Sequence, residues 1–230
     1  MSGSVEAVLA IDTAGPEIGV AGVARGAAPL VWTERVVRGA DAVLLPAIAR
    51  TLEQIDRADW SLVGVAVSVG PGAFTGLRVG LAAALGVAVA RRVPVYAEGS
   101  LVARARLVAT RPLLVLLDAR KQRFYGQWFG LDGPLGAPAD RPLAEWLADA
   151  QEAGVAVGEG ALVARERLAA EGWQVPPSAG RVPVVCLARA ALSGQIRPSD
   201  AAGVRLQYVR PPDARKPTHL LTPPGSGSLT

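Results

Sequence analysis

The chain has 230 residues, half of them hydrophobic, and a mean hydropathy of +0.30, enough for one large domain or two small ones. Its single cysteine, Cys186, and single histidine, His219, exclude an intrachain disulfide and a zinc site built from His and Cys. The net charge of +4 and the pI near 9.8 come from arginine, because Lys121 and Lys216 are the only lysines among 24 basic residues.

Val5 to Ile11 is an apolar run ending at Asp12-Thr13-Ala14-Gly15-Pro16, and Ile18 to Val23 is apolar again; this predicts strand, tight turn, strand. Leu30 to Val37, with β-branched residues and a tryptophan, predicts a third strand. Asp41 is placed to cap a helix whose core-facing positions Val43, Leu44, Ala47, Ile48, Thr51, Leu52 and Ile55 follow the helical period. Leu62 to Val67 predicts a fourth strand, parallel to the first because a helical crossover separates them.

The stretch Ser68-Val-Gly-Pro-Gly-Ala-Phe-Thr-Gly-Leu-Arg-Val-Gly80 then joins that strand to a long apolar helix, Leu77 to Ala90. Pro71 fixes φ, while Gly70 and Gly72 permit positive φ or close backbone approach. A glycine loop at a helix start gathers unpaired N–H groups and could hold an anion; the plainer reading is a tight turn without a ligand. Gly76, Gly80 and Ala84 stack along one helix face and should have a packing reason, since Gly costs about 1 kcal/mol against Ala there. That reason is either the sheet beneath or a second subunit. The unbroken apolar run Val79 to Ala90 is shorter than the roughly 20 residues of a membrane span. Val93 to Ala97 predicts a fifth strand, and Gly99-Ser100 opens a helix to about Ala109.

The pattern then restarts. Leu113 to Leu117 ends at Asp118-Ala119-Arg120-Lys121, and Phe124 to Phe129 follows as a partner strand. Helical patterns cover Leu143 to Ala153, Ala161 to Glu171 and Leu187 to Ser193, with a short strand at Val155 to Gly158. This predicts two related α/β halves, 1–111 and 112–210, the second degraded, followed by a Pro/Gly/Ser-rich tail, 211–230, expected to be disordered. Two β-β-β-α-β halves, each with a strand-end Asp, is the layout of the actin-like fold of sugar kinases and heat-shock ATPases, which is RNase H-like. There the two turns clasp nucleotide phosphates.

Ala10-Ile11-Asp12-Thr13, the glycine stretch Gly70 to Gly80, Asp118-Ala119-Arg120 and Gln207-Tyr208-Val209-Arg210 together resemble the TsaB (YeaZ) family over most of the chain. The resemblance implies a non-catalytic subunit of the bacterial machinery that makes N6-threonylcarbamoyladenosine in tRNA, next to the anticodon. It implies pairing with a TsaD-like transferase, a TsaE-like ATPase in the larger complex, and self-pairing when alone. It implies tRNA contact at most through the complex, and no membrane. The pairing surface would be the helix after the glycine loop and the helix before it. The expected residues are Leu44, Leu45 and Ile48 from the first, and Phe74, Thr75, Arg78, Val79, Ala82 and Ala83 from the second. The other reading of the leucines and valine is packing on their own sheet; Thr75 and Arg78 do not suit a sheet interior. The family often has a histidine before the first long helix, where this chain reads Val37-Arg38-Gly39-Ala40.

The residues fit a scaffold. The paired histidines of TsaD-like metal chemistry are missing from the sequence. The second turn, Asp118 to Arg123, has no glycine to let backbone approach a phosphate. Asp12, Thr13 and Asp118 therefore read as vestiges of phosphate turns, with Asp12 capping its own turn. The glycine loop Gly70, Pro71, Gly72 and Gly76 reads as a joint. No catalytic residue, cofactor or metal is expected, and the cytoplasm is the expected location, since the N-terminus has no basic region followed by an apolar core. Two other readings compete: an ATP-binding or metallopeptidase-like enzyme of the same fold, and an RNA-binding module. The latter would use the arginines at 104–123 and 205–216.

Overall fold

A computed structural model describes residues 4–36 and 39–210. The predicted tail, with His219, and residues 37 and 38 lie outside the described residues. In chain order the first half holds β1 (Val5–Asp12), β2 (Glu17–Ala24), β3 (Leu30–Arg35), α1 (Ala40–Arg57), β4 (Trp60–Ser68), α2 (Phe74–Arg91), β5 (Val95–Glu98) and α3 (Ser100–Ala105). The second half holds β6 (Leu113–Asp118), β7 (Arg123–Gly130), β8 (Gly133–Pro142), α4 (Leu143–Ala148), β9 (Val155–Val157), α5 (Glu159–Val163), α6 (Arg165–Ala170) and α7 (Val184–Leu192).

The two sheets repeat one plan. The first runs β3-β2-β1-β4-β5 and the second β8-β7-β6-β9. In each, the opening strand pairs antiparallel with the next and parallel with the strand that follows a helical crossover. Strand β8 was not legible: Gly133, Pro134, Gly136, Pro138 and Pro142 break any apolar pattern. It sits at a sheet edge, where prolines are tolerated.

Side chains along β1 alternate between two layers. Leu9 and Ile11 lie with Val20, Val65 and Val67 beneath α1 and α2. Val8 and Ala10 lie with Ala21, Val23 and Ala66 beneath α7. A sheet covered on both faces explains why its strands read as continuous apolar runs. α7, from the second predicted half, crosses back to cover the first sheet, and Ser199 bridges to Val95 at its edge.

Several boundaries also shift. Gly39, not Asp41, is the N-cap of α1; Asp41 sits in the first turn, where its charge favours the helix dipole. The single helix expected over 161–171 is two short ones broken at Ala164, and α3 ends at Ala105. α3 lies between the sheets, with Leu101 and Ala105 packed on the core of β6 and Ala103 on that of β1. α2 is long and apolar enough to cross a membrane by length and composition, but here Leu77, Leu81, Ala84 and Ala88 are buried on the chain's own sheet.

Candidate functional site

Two regions hold the predicted site residues: the cleft between the halves and the outer face of α1 and α2. Asp12, at the end of β1 on the cleft floor, is fully buried. Its Oδ1 accepts from the Ala14 backbone N–H at 3.1 Å, so it caps its own turn as the sequence suggests. The Ser68 hydroxyl donates to its Oδ2. Arg104 of α3, also buried, clasps both carboxylate oxygens, with Nη1 to Oδ2 at 3.1 Å and Nη2 to Oδ1 at 3.2 Å. Burial works against the guanidinium charge, but Asp12 and Glu159 more than offset it and raise the Arg104 pKa.

Asp118, at the matching end of β6, has the same cap, Oδ1 accepting from the Arg120 N–H at 2.8 Å. Its side chain is 28% exposed, and its ion pair with Arg120 is long, 3.9 Å. The chain then runs through three successive non-glycine residues at positive φ, Arg120, Lys121 and Gln122. Such a turn carries a side chain at each position, with Arg120 lining the cleft, where a phosphate-binding turn offers bare backbone.

The glycine loop is a joint within the chain. A Cβ on Gly72 would collide with the Ala14 carbonyl, and one on Gly76 or Gly80 with Thr13. The Thr13 hydroxyl donates to the Gly76 carbonyl at 2.8 Å, and the Ala73 N–H donates to the Ala14 carbonyl at 2.7 Å. The Gly76–Gly80–Ala84 stripe thus faces the chain's own first turn and sheet, so a partner is not its reason. Gly70 sits under the Gln207 backbone, and Pro71 is buried. This Gln207–Arg210 strap also ties the halves together: Gln207 N–H donates to Val69 O at 2.7 Å, and Arg210 pairs with Asp140 of β8 at 3.3 Å.

A cleft of about 830 Å³ lies between the turns, lined by Gly15, Asp118, Arg120, Tyr125, Glu159 and Tyr208 among others. Glu159, which sequence reading passed over, opens α5 directly after β9. Its Oε2 is 3.6 Å from Arg104 Nε. Burial raises its pKa, and the Asp12 and Asp118 carboxylates push the same way against Arg104. A carboxylate set between two glycines just after an apolar strand was the available signal. Among the described residues no group of three His, Cys, Asp or Glu side chains could hold a metal ion.

On the helix pair the predicted residues separate. Leu44 and Ile48 are buried in the chain's own core and cannot reach a partner. This corrects the expected pairing set: both lie on the stripe α1 must bury on the sheet. Leu45 is 55% exposed, and Thr75, Arg78 and Ala82 are exposed. Val79 and Ala83 are half-buried against the first core. Phe74 is half-buried and stacks with Tyr208 at 5.4 Å, with the Arg78 guanidinium 3.8 Å above its ring. Two positions missed by the sequence reading extend this face: Val89, 69% exposed, and Gly86, around which a Cβ would meet nothing within 4 Å.

The arginine clusters are largely committed inside the chain. Arg104 is buried, Arg106 pairs with Glu98 at 2.6 Å, Arg123 pairs with Asp140 at 2.9 Å, and Arg111 and Arg205 donate to backbone carbonyls. Carboxylates thus answer the charges of Arg104, Arg106 and Arg123, whereas Arg111 and Arg205 keep theirs.

The family model described as TsaD, tRNA N6-adenosine threonylcarbamoyltransferase, matches residues 34–172, more than half of the chain. The chain belongs to the TsaD-like family. An uncharacterized protein of Mycobacterium tuberculosis is 38% identical over 124 residues, covering 53% of this chain and 58% of that protein. One of Mycobacterium leprae is 37% identical over 143 residues, covering 58% of this chain and 39% of that protein. The chain thus spans little more than half the length of the first of these and less of the second. Two Pseudomonas aeruginosa structures share the fold. One, described as having similarity to peptidase YeaZ, has a TM-score of 0.70 at 23% identity over 89% of this chain and all of that one. The other, YeaZ, has a TM-score of 0.68 at 24% identity over 88% and 99%. EutJ of Carboxydothermus hydrogenoformans follows at 0.50 and 15%, over 78% and 88%. The actin-like, RNase H-like architecture of this TsaD-like chain, and the TsaB (YeaZ) resemblance of its motifs, agree with these neighbours.

Proposed function

We propose that this TsaD-like chain is a non-catalytic pairing subunit of the tRNA N6-threonylcarbamoyladenosine machinery, working in the cytoplasm. It docks a TsaD-like transferase through the outer face of α1 and α2. The observation that carries this reading is the apolar, uncovered character of that face. Leu45 and Val89 stand more than half exposed, and Gly86 forgoes a side chain although nothing among the described residues crowds it. A glycine inside a helix costs about 1 kcal/mol against alanine, and close approach by another backbone is a reason to keep it. Two copies could use the same patch around a two-fold axis, which gives a homodimer when the transferase is absent. A TsaE-like ATPase joins the assembled pair, and tRNA is met through the complex.

Catalysis is assigned to the partner because the polar groups on this cleft floor are answered within the chain. Asp12, buried beneath the cleft, is held by Arg104 and Ser68. Co-expression with a TsaD-like chain from the same organism tests the reading: the two should co-purify, and Leu45→Glu, on an exposed position, should separate them while leaving the melting temperature unchanged. Co-purification unaffected by that charge would place the contact elsewhere.

A further inference from the structure

The cleft floor carries an arrangement that neither the fold nor the pairing reading requires. β9 leads into Gly158-Glu159-Gly160 at the start of α5. Gly158, at φ +96°, and Gly160 lie so tightly on the Leu116 and Leu117 backbone that a side chain on either would collide with it. The two glycines seat this turn on β6 of the second half and leave the Glu159 side chain reaching across the cleft. Its carboxylate lies on the first half's turn: a Cβ on Gly15 would be 3.2–3.3 Å from its Cδ and both oxygens. Oε2 also faces Arg104 Nε at 3.6 Å, and the side chain is only 15% exposed. A carboxyl group therefore already lies against the Gly15 turn, next to the buried cation.

We propose that Glu159 is an internal substitute for a ligand phosphate, bridging the two halves and barring phosphate-bearing ligands from the cleft. An entering phosphate would have to displace the carboxylate from Gly15 and Arg104, and would meet the like charges of Glu159 and Asp118. With the carboxylate removed, Gly15 is uncovered and Arg104 Nε loses its partner while its two terminal nitrogens stay on Asp12. A guanidinium edge so freed suits a phosphate oxygen. The inference concerns the isolated chain and stands or falls apart from the pairing partner.

The test is titration calorimetry of the full chain with inorganic pyrophosphate, comparing wild type, Glu159→Ala and Glu159→Gln. Wild type should show no saturable binding in the millimolar range. Glu159→Ala should bind at least about tenfold more tightly than wild type, with Glu159→Gln between them because it keeps the bulk and drops the charge. Circular dichroism confirms folding; if the alanine variant does not fold, the glutamine variant decides. Saturable pyrophosphate binding by wild type, or folded variants that bind no better than wild type, would overturn the proposal.

Discussion

The cleft and the helix face make opposite use of their residues. On the cleft floor a buried carboxylate, a buried guanidinium and a second carboxylate answer one another, and the strap Gln207–Arg210 crosses the glycine loop. On the helix face Leu45, Ala82, Gly86 and Val89 lie open with no segment of the described chain over them. The difference teaches where to look for function. A region whose charges are satisfied internally contributes stability, whereas an apolar region left uncovered calls for something outside the chain. Within the cleft the two strand-end turns differ again, since Asp12 is locked by the buried Arg104 while Asp118 caps its turn and pairs at 3.9 Å with the exposed Arg120.

The largest effect expected of a cleft substitution is on stability. Arg104→Met leaves Asp12 buried without its cation and should lower unfolding stability by about 3–5 kcal/mol in urea titrations. Asp118→Ala, which removes a cap on a partly exposed turn, should cost about 1 kcal/mol. Equal losses at the two sites would erase the contrast between the turns.

A pH series sharpens it further. The Glu159 pKa is raised above its ordinary 4.5 by burial, so the folded chain holds that proton to higher pH than the unfolded one does. The associated stability is fully present below the unfolded value and is lost as pH rises through the folded one. Wild-type stability should therefore carry a downward slope as pH rises above the ordinary glutamate range, and Glu159→Gln should remove it. Urea midpoints across that range show it; an unchanged slope in the variant would assign it to another group.

The smallest effect belongs to the helix face. Gly86→Ala fills open space and should stabilise the isolated chain by about 0.5–1 kcal/mol. A loss of stability would mean that the chain itself needs that glycine.

How much of this was legible in the sequence follows from what is local. The β1 and β6 runs and the strand-end aspartates announced the repeat, and the α1 period separated core from surface, although Leu44 and Ile48 were credited to both. Three things were not local. β8 hides among prolines because an edge strand tolerates them. α7 looks like any apolar helix until the open face of the first sheet claims it. Arg104 read as one of a basic run, since nothing in the chain's order reveals that α3 carries it to Asp12, 92 positions away. The open face was half legible: the small-residue stripe was visible, but it serves Thr13, and the glycine with nothing above it is Gly86.

The account rests most on that face, and one measurement addresses it directly: the dissociation constant between this chain and a TsaD-like chain of the same organism, for wild type and for Gly86→Arg. Gly86→Arg should weaken the complex by at least about a hundredfold, some 2.7 kcal/mol, with a melting temperature for the isolated chain no lower than that of wild type. Binding as tight as wild type, by a folded Gly86→Arg protein, would contradict it.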